Sequence, residues 1–469
     1  MSGADPLVDC ARVFLDAVMP LLKERCHDAG DEPFELTGFP VWVLEGDFGP
    51  LMRRYRAHPM ILSADRQCAV RVLGEVRQAG MNELSDLDHA LTSDNVIGQR
   101  IGGDSVVSLG AGGAAWQAPS LVLLLVEQAI DRTGGFHIAE PVRDELTARW
   151  AAALRRPSDL IRVVLTLREF DSPVPSIPLA PGLEIIKLSH DEVAAALSLG
   201  GGLRSIFIDE RIVSETFGVR TSFESSLFID QISPTDSERE QARREQAERL
   251  VERVLLALQV FKAGLVSASD MFQYTVNWWG ETSPVQGNIG SEFGWHTAQP
   301  YVLEGDEVDR FRDFWEEFES AREHSVIASA LRRFAYAAER PRPEDEIVDL
   351  MIAAESLFLS QMGKRDRGEL RFRLATRVAS LLGTTLDERL LIWRFMRAAY
   401  DARSVIVHGG TPAENDLPDL NGDLVRIDVF ADQLEAVLRR ALQKSIQDVA
   451  SGRSFPPDWE ALLFAGPPA

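Results

Sequence analysis

Cysteine, lysine and long apolar runs are all scarce in this chain. The three cysteines, Cys10, Cys26 and Cys68, show no CxxC spacing. An odd count without a spacing pattern excludes a disulfide framework and a structural zinc as expectations, and fits a reducing cytoplasm. Lysine occurs five times against 44 arginines, a compositional bias that says nothing about mechanism. The longest apolar candidate, APSLVLLLVEQAI, meets Glu127 too soon to span a bilayer. The opening MSGADPLVDC lacks a basic region followed by an apolar one, so neither a signal peptide nor a membrane partner is expected. Phosphate loops are missing too. SLGAGGAAW lacks the GxGxxG spacing, and neither it nor SLGGGLRS ends in Gly-Lys-Ser/Thr. Both read as turns, and no cofactor and no metal are expected.

What is present is acidic and globular. The net charge is −23, which repels nucleic acid at long range. A hydrophobic content of 45% is ordinary, and 469 residues suggest two or three domains. The charge is uneven. From Gln361 to Val405 ten bases (Lys364, Arg365, Arg367, Arg371, Arg373, Arg377, Arg389, Arg394, Arg397 and Arg403) stand against five acids, a local balance of +5. Such a patch can hold a phosphate against an unfavourable mean field, or can be solvated helix surface.

The patterning predicts an α+β protein: a mixed α/β N-terminal region followed by an all-helical C-terminal bundle. Three regions are expected, at 1–158, 159–300 and 301–469. The first mixes helical spacing in LVDCARVFLDAVMPLLKE, CAVRVLGEVRQAG and VRDELTARWAAALRR with a strand at FPVWVLEG. The second contains short strands, LIRVVLTLREF, GLEIIKL, RSIFIDE and TSFESSLFI, divided by Pro and Gly. One long helix interrupts them, from Pro234 to a stop at Gly264, polar in its first half and apolar in its second. From Tyr301 on, amphipathic helices with short connections predict an antiparallel bundle. The Pro-rich tail FPPDWEALLFAGPPA is a docking segment or a loose end.

The stretch YDARSVIVHG, residues 400 to 409, brackets an apolar run with Arg403 and His408. Arg-x4-His spacing by itself is uninformative: about 0.75 pairs arise by chance from 44 Arg and 8 His in 469 residues, and three occur. Those at Arg53/His58 and Arg132/His137 fall beside Pro or Gly-Gly, whereas Arg403/His408 closes a strongly patterned helix. There Leu391, Phe395, Ala398, Ala402 and Val405 form the expected buried stripe. Arg394, Arg397, Asp401, Ser404 and His408 share another face, and Arg403 lies about 140° from His408, the two flanking Tyr400 and Ser404. Arg and His without a metal suit RNA cleavage by the 2′-hydroxyl: the imidazole moves the proton and the guanidinium holds the phosphate charge. The plain alternative is a helix C-cap at His408-Gly409, with Arg403 paired to a carboxylate. Glu355, on the otherwise apolar IAAESLFL, needs such a partner, and Arg377 or Arg403 could be it.

Three blocks, EIVDLMIAAESLFLSQ, ELRFRLATRVASLLG and MRAAYDARSVIVHGG, resemble in order and spacing the ApeA-like branch of the HEPN domains, over about residues 340 to 450. The resemblance implies an all-helical, usually dimeric domain. Many such domains are metal-independent ribonucleases of bacterial anti-phage defence or toxin–antitoxin systems. It maps catalysis onto Arg403, Ser404 and His408. On that reading the basic helices guide the RNA through Arg397, Arg394, Tyr400 and Arg377, while Glu355, from its apolar setting, is read as a structural ion pair. Ser404 departs from the Asn, Asp or His often seen after the Arg. Some members are non-catalytic dimerisation or scaffolding modules, so that reading stays open. So does a protein partner or phage trigger at the N-terminal region.

Overall fold

The computed structural model describes residues 5–28, 59–101, 105–108, 113–115, 117–133, 136–188, 216–226, 228–230, 234–264, 266–275, 283–286, 301–360, 369–412 and 417–464. FPVWVLEG, RSIFIDE, SLGGGLRS, the Arg53/His58 pair and the basic run Lys364-Arg365-Asp366-Arg367 lie outside them. The fold is α+β, and the chain divides into two compact units. The first holds residues 1–168, 175–251 and 268–290, and the second holds 169–174, 252–267 and 291–469.

In the first unit, α1 (Pro6–Asp28), α2 (Pro59–Gln78), α3 (Asn82–Ser93), α5 (Ala118–Thr133) and α6 (Glu140–Arg155) share one apolar core. Phe14, Leu87, Leu125 and Trp150 are fully buried in it. The short α4 (Ile97–Arg100) follows α3. Arg155 ties the ends together, reaching Asp5 and Asp94 at 2.5 and 2.8 Å. Cys68 on α2 is disulfide-bonded and Cys10 is a free thiol. The bridge removes the ground for expecting a reducing cytoplasm: it needs only two close Cβ atoms, which spacing along the chain does not report.

Strands β1 (Ser105–Ser108), β2 (Gly113–Ala115) and β8 (Phe228–Asp230) form one antiparallel sheet in the order β2-β1-β8. The larger sheet runs β10-β9-β3-β7-β6-β5. It is built from β3 (Ser158–Arg168), β5 (Ser176–Ala180), β6 (Leu183–Lys187), β7 (Phe217–Ser226), β9 (Ser267–Thr275) and β10 (Ser283–Gln286). The pairs β3–β7, β6–β7, β5–β6 and β9–β10 are antiparallel. Val163 to Leu167 are buried without alternation, because this stretch of the strand is covered on both faces. Gly182, at φ +75°, makes the β5–β6 turn.

The long helix α7 (Pro234–Phe261) shows the gradient its composition predicts: Gln241 to Arg243 are exposed, while Val251, Val254, Ala257 and Leu258 are buried.

The second unit begins with β4 (Phe170–Asp171), parallel to β11 (Tyr301–Val302). Helices follow: α8 (Val308–Ala321), α9 (Ser325–Ala338), α10 (Pro343–Leu359), α11 (Leu370–Leu382), α12 (Leu386–Val407), α13 (Ile427–Ala450) and α14 (Trp459–Phe464). A small hairpin, β12 (Leu417–Pro418) with β13 (Leu424–Val425), precedes α13. Helix α9 packs along α10, α11 along α12, and α13 against α8 and α10. Phe334, Phe358, Phe395 and Phe430 fill this core, the last two 4.9 Å apart. The tail docks: Trp459 packs on Phe358 and Phe455 at ring separations of 5.6 and 6.4 Å. Among the described residues no helix is long and apolar enough to cross a membrane.

Candidate functional site

The candidate residues lie on α10, α11 and α12. Helix α12 opens on a side-chain cap at Thr385, reinforced by Glu388 reaching back to Thr384. The Thr385 hydroxyl accepts the Glu388 N–H at 3.2 Å, and the Glu388 carboxylate accepts the Thr384 N–H and hydroxyl at 2.9 and 2.8 Å. It closes on a Schellman motif. Gly409 takes φ +81° and donates its N–H to Ile406, while Gly410 donates to Val405, both at 2.9 Å. A Cβ on Gly410 would sit 2.8 Å from Val405 Cγ1, so a side chain there requires Val405 to shift.

His408 is therefore the C-cap, its backbone N–H donating to Ser404 at 3.2 Å. The cap uses only backbone groups, and the His408 side chain stands exposed. A helix end and a chemical role are thus compatible readings of one residue.

The buried stripe of α12 is Ile392, Phe395, Met396, Ala399 and Ala402. Phe395 and Ala402 are as the spacing predicts, but Val405 is 43% exposed. The helix is covered by α10 and α11 together, so the buried arc is centred between them and leaves the last turn uncovered.

Arg403 lies at the edge of that arc. Its Nη2 donates to Glu355 Oε2 on α10 at 3.4 Å, and its Nε is buried without a hydrogen-bond partner. Of the two partners the sequence offers Glu355, the fold selects Arg403. Burial pushes the Glu355 carboxyl up, and the Arg403 charge opposes that. Arg377 is engaged elsewhere, donating to the Phe358 carbonyl at 2.5 Å with its guanidinium 5.3 Å from the Trp459 ring. Burial and the neighbouring Arg373 make its charge less favourable.

Tyr400 and Ser404 are half-buried, on the same side of α12 as His408. Arg397 on this side lies 4.4 Å over the Trp393 ring, and Phe372 of α11 meets Trp393 edge-on at 6.1 Å. Arg394 is exposed. Sequence reasoning passed over Trp393 and Phe372. The available signal was Trp393 one helical turn before Arg397, off the apolar stripe. A separate cleft of about 660 Å³ is lined by Arg310, Asp313, Phe314, Glu317, Arg440 and Lys444 among others, and by none of the candidate residues. Among the described residues no group of three or more His, Cys, Asp or Glu side chains is placed to hold a metal ion.

Comparison with protein-family models, with curated proteins and with solved structures gives no match to this chain.

Proposed function

We propose that the C-terminal helices form a HEPN-type bundle acting as a dimeric, metal-independent RNA endonuclease in bacterial anti-phage defence or growth arrest. The observation that carries this reading is the end of α12: an exposed His408 side chain on a backbone-satisfied cap, with Arg403 five residues before it on the same helix. In this mechanism the 2′-oxygen attacks the phosphorus and its proton passes to a base. The bond from phosphorus to the 5′-oxygen breaks, and that oxygen takes a proton, leaving a cyclic phosphate and a free 5′-hydroxyl. His408 serves as the base or the acid, Arg403 neutralises the phosphate, and Ser404 positions one of them. Arg403 and His408 sit about 140° apart on α12. A symmetric dimer supplies the second pair and the second proton carrier.

The Arg403–Glu355 contact favours a second reading, a non-catalytic dimerisation module with a regulatory N-terminal region, because a guanidinium that holds α10 is less available to a phosphate. Cleavage of a labelled RNA pool with chelator present separates the two. Chelator-resistant cutting by wild type that vanishes in His408→Ala is expected, equal cutting by both proteins removes His408 from the mechanism, and no cutting by either favours the non-catalytic module.

A further inference from the structure

The surface of α12 that carries Ser404 and His408 continues toward its N-terminus as an aromatic and arginine surface. Trp393, Arg397, Ser404 and His408 recur at spacings of four, seven and four residues, on the side away from the buried arc of Ile392, Phe395 and Ala399. Arg397 stacks on Trp393, and Phe372, 51% exposed, stands edge-on beside it. Among the described residues neither Arg373, Arg394 nor Arg397 has an ion-pair partner within 4 Å. An exposed Phe and a half-buried Trp beside unpaired guanidinium groups are unusual on a chain of net charge −23.

We propose that Phe372, Trp393 and Arg397 form a stacking platform for the unpaired bases of a single-stranded RNA, with Arg394 holding its phosphates. Every base has a π-face, and aromatic rings and guanidinium planes both stack on it. A duplex hides those faces, so the platform selects single strands. It lies about 22 Å along the helix axis from His408, at a rise of about 1.5 Å per residue, so the stacked bases are several nucleotides from the scissile bond. A second copy of the chain is the poorer occupant: a symmetric contact would set this arginine cluster against itself, and Asp401, the nearby acid, is already paired with Arg371. The direction of the strand toward His408 rests on the nuclease reading, while the platform itself does not.

The test is fluorescence anisotropy with a labelled single-stranded RNA of twelve or so nucleotides and with the same sequence as a blunt duplex. It uses the full-length protein and reports the oligomeric state by sedimentation alongside. Trp393→Ala weakens single-strand binding about tenfold, Trp393→Phe recovers most of it, and Arg397→Lys loses several-fold although its charge is kept. Tyr336→Ala, which removes an exposed aromatic on α9 outside the platform, binds like wild type. If single-strand binding depends on Trp393 and the wild type does not cleave, the nuclease falls and the platform stands. Unchanged single-strand affinity in Trp393→Ala and Phe372→Ala overturns the platform. An oligomer that dissociates in those variants at unchanged RNA affinity also overturns it and assigns the face to a second copy.

Discussion

Glu346 in the first turn of α10 is half-buried against Glu435 and Asp432 of α13, and burial together with those two carboxylates pushes its carboxyl up to about 8 from an ordinary 4.5. A carboxyl raised in the folded state binds its proton more tightly there than in the unfolded chain. Its contribution to stability is full below about pH 4.5 and is lost as the pH rises through about 8. Each pH unit in that window removes about 1.4 kcal/mol, so ionisable Glu346 costs about 3 kcal/mol at pH 7 as an upper bound. Solvent at this half-buried site reduces it to about 2. Glu346→Gln keeps the shape and removes the charge. Wild type and variant therefore have equal stability near pH 4.5, and the variant gains steadily to pH 8. Hydrogen exchange of the α10 and α13 backbone, compared between the two proteins at each pH, reads the difference locally and needs no two-state assumption. Equal protection at pH 8, or a variant that exchanges faster, would refute the reasoning, because it would mean that the acids of α13 do not burden Glu346.

Three further outcomes follow from the same unit. Gly409→Ala places a Cβ in open space but on a backbone at φ +81°, so it costs about 1 kcal/mol through strain alone, read as a lower thermal midpoint. Trp459→Ala removes the ring that packs on Phe358, Phe455 and Arg377, costs about 2 kcal/mol, and makes residues 459–464 susceptible to limited proteolysis before the rest of the unit. Glu355→Gln loses an ion pair at 3.4 Å but also relieves a buried carboxylate, so urea denaturation should place it within about 1 kcal/mol of wild type. A loss of more than about 3 kcal/mol would show that Arg403 is held mainly for structure.

Much of the helical unit is legible in the sequence because its signals are local. Pro343 followed by Glu344, Asp345 and Glu346 starts α10, Thr385 with Glu388 starts α12, and Gly409 stops it. Each of these acts through backbone groups a few residues away, so order along the chain suffices to read them. The same holds for α7, whose burial follows its polar-to-apolar gradient, and for β3, whose run from Val163 to Leu167, apolar but for Thr166, is buried without alternation.

The candidate site was legible in its residue types and not in their partners. Position along the helix puts Arg397, Ser404 and His408 on one side, and it leaves Glu355 a choice between Arg377 and Arg403. Only the packing of α10 against α12 gives Glu355 to Arg403 and turns Arg377 to the tail. Only the pairing of α11 with α12 brings Phe372 to Trp393, and only α13 brings Glu435 and Asp432 to Glu346. Where helices begin and end is set by hydrogen bonds within a few residues. Which charges meet, which are buried and which rings face solvent is set by surfaces distant in the chain, so tertiary structure alone decides it.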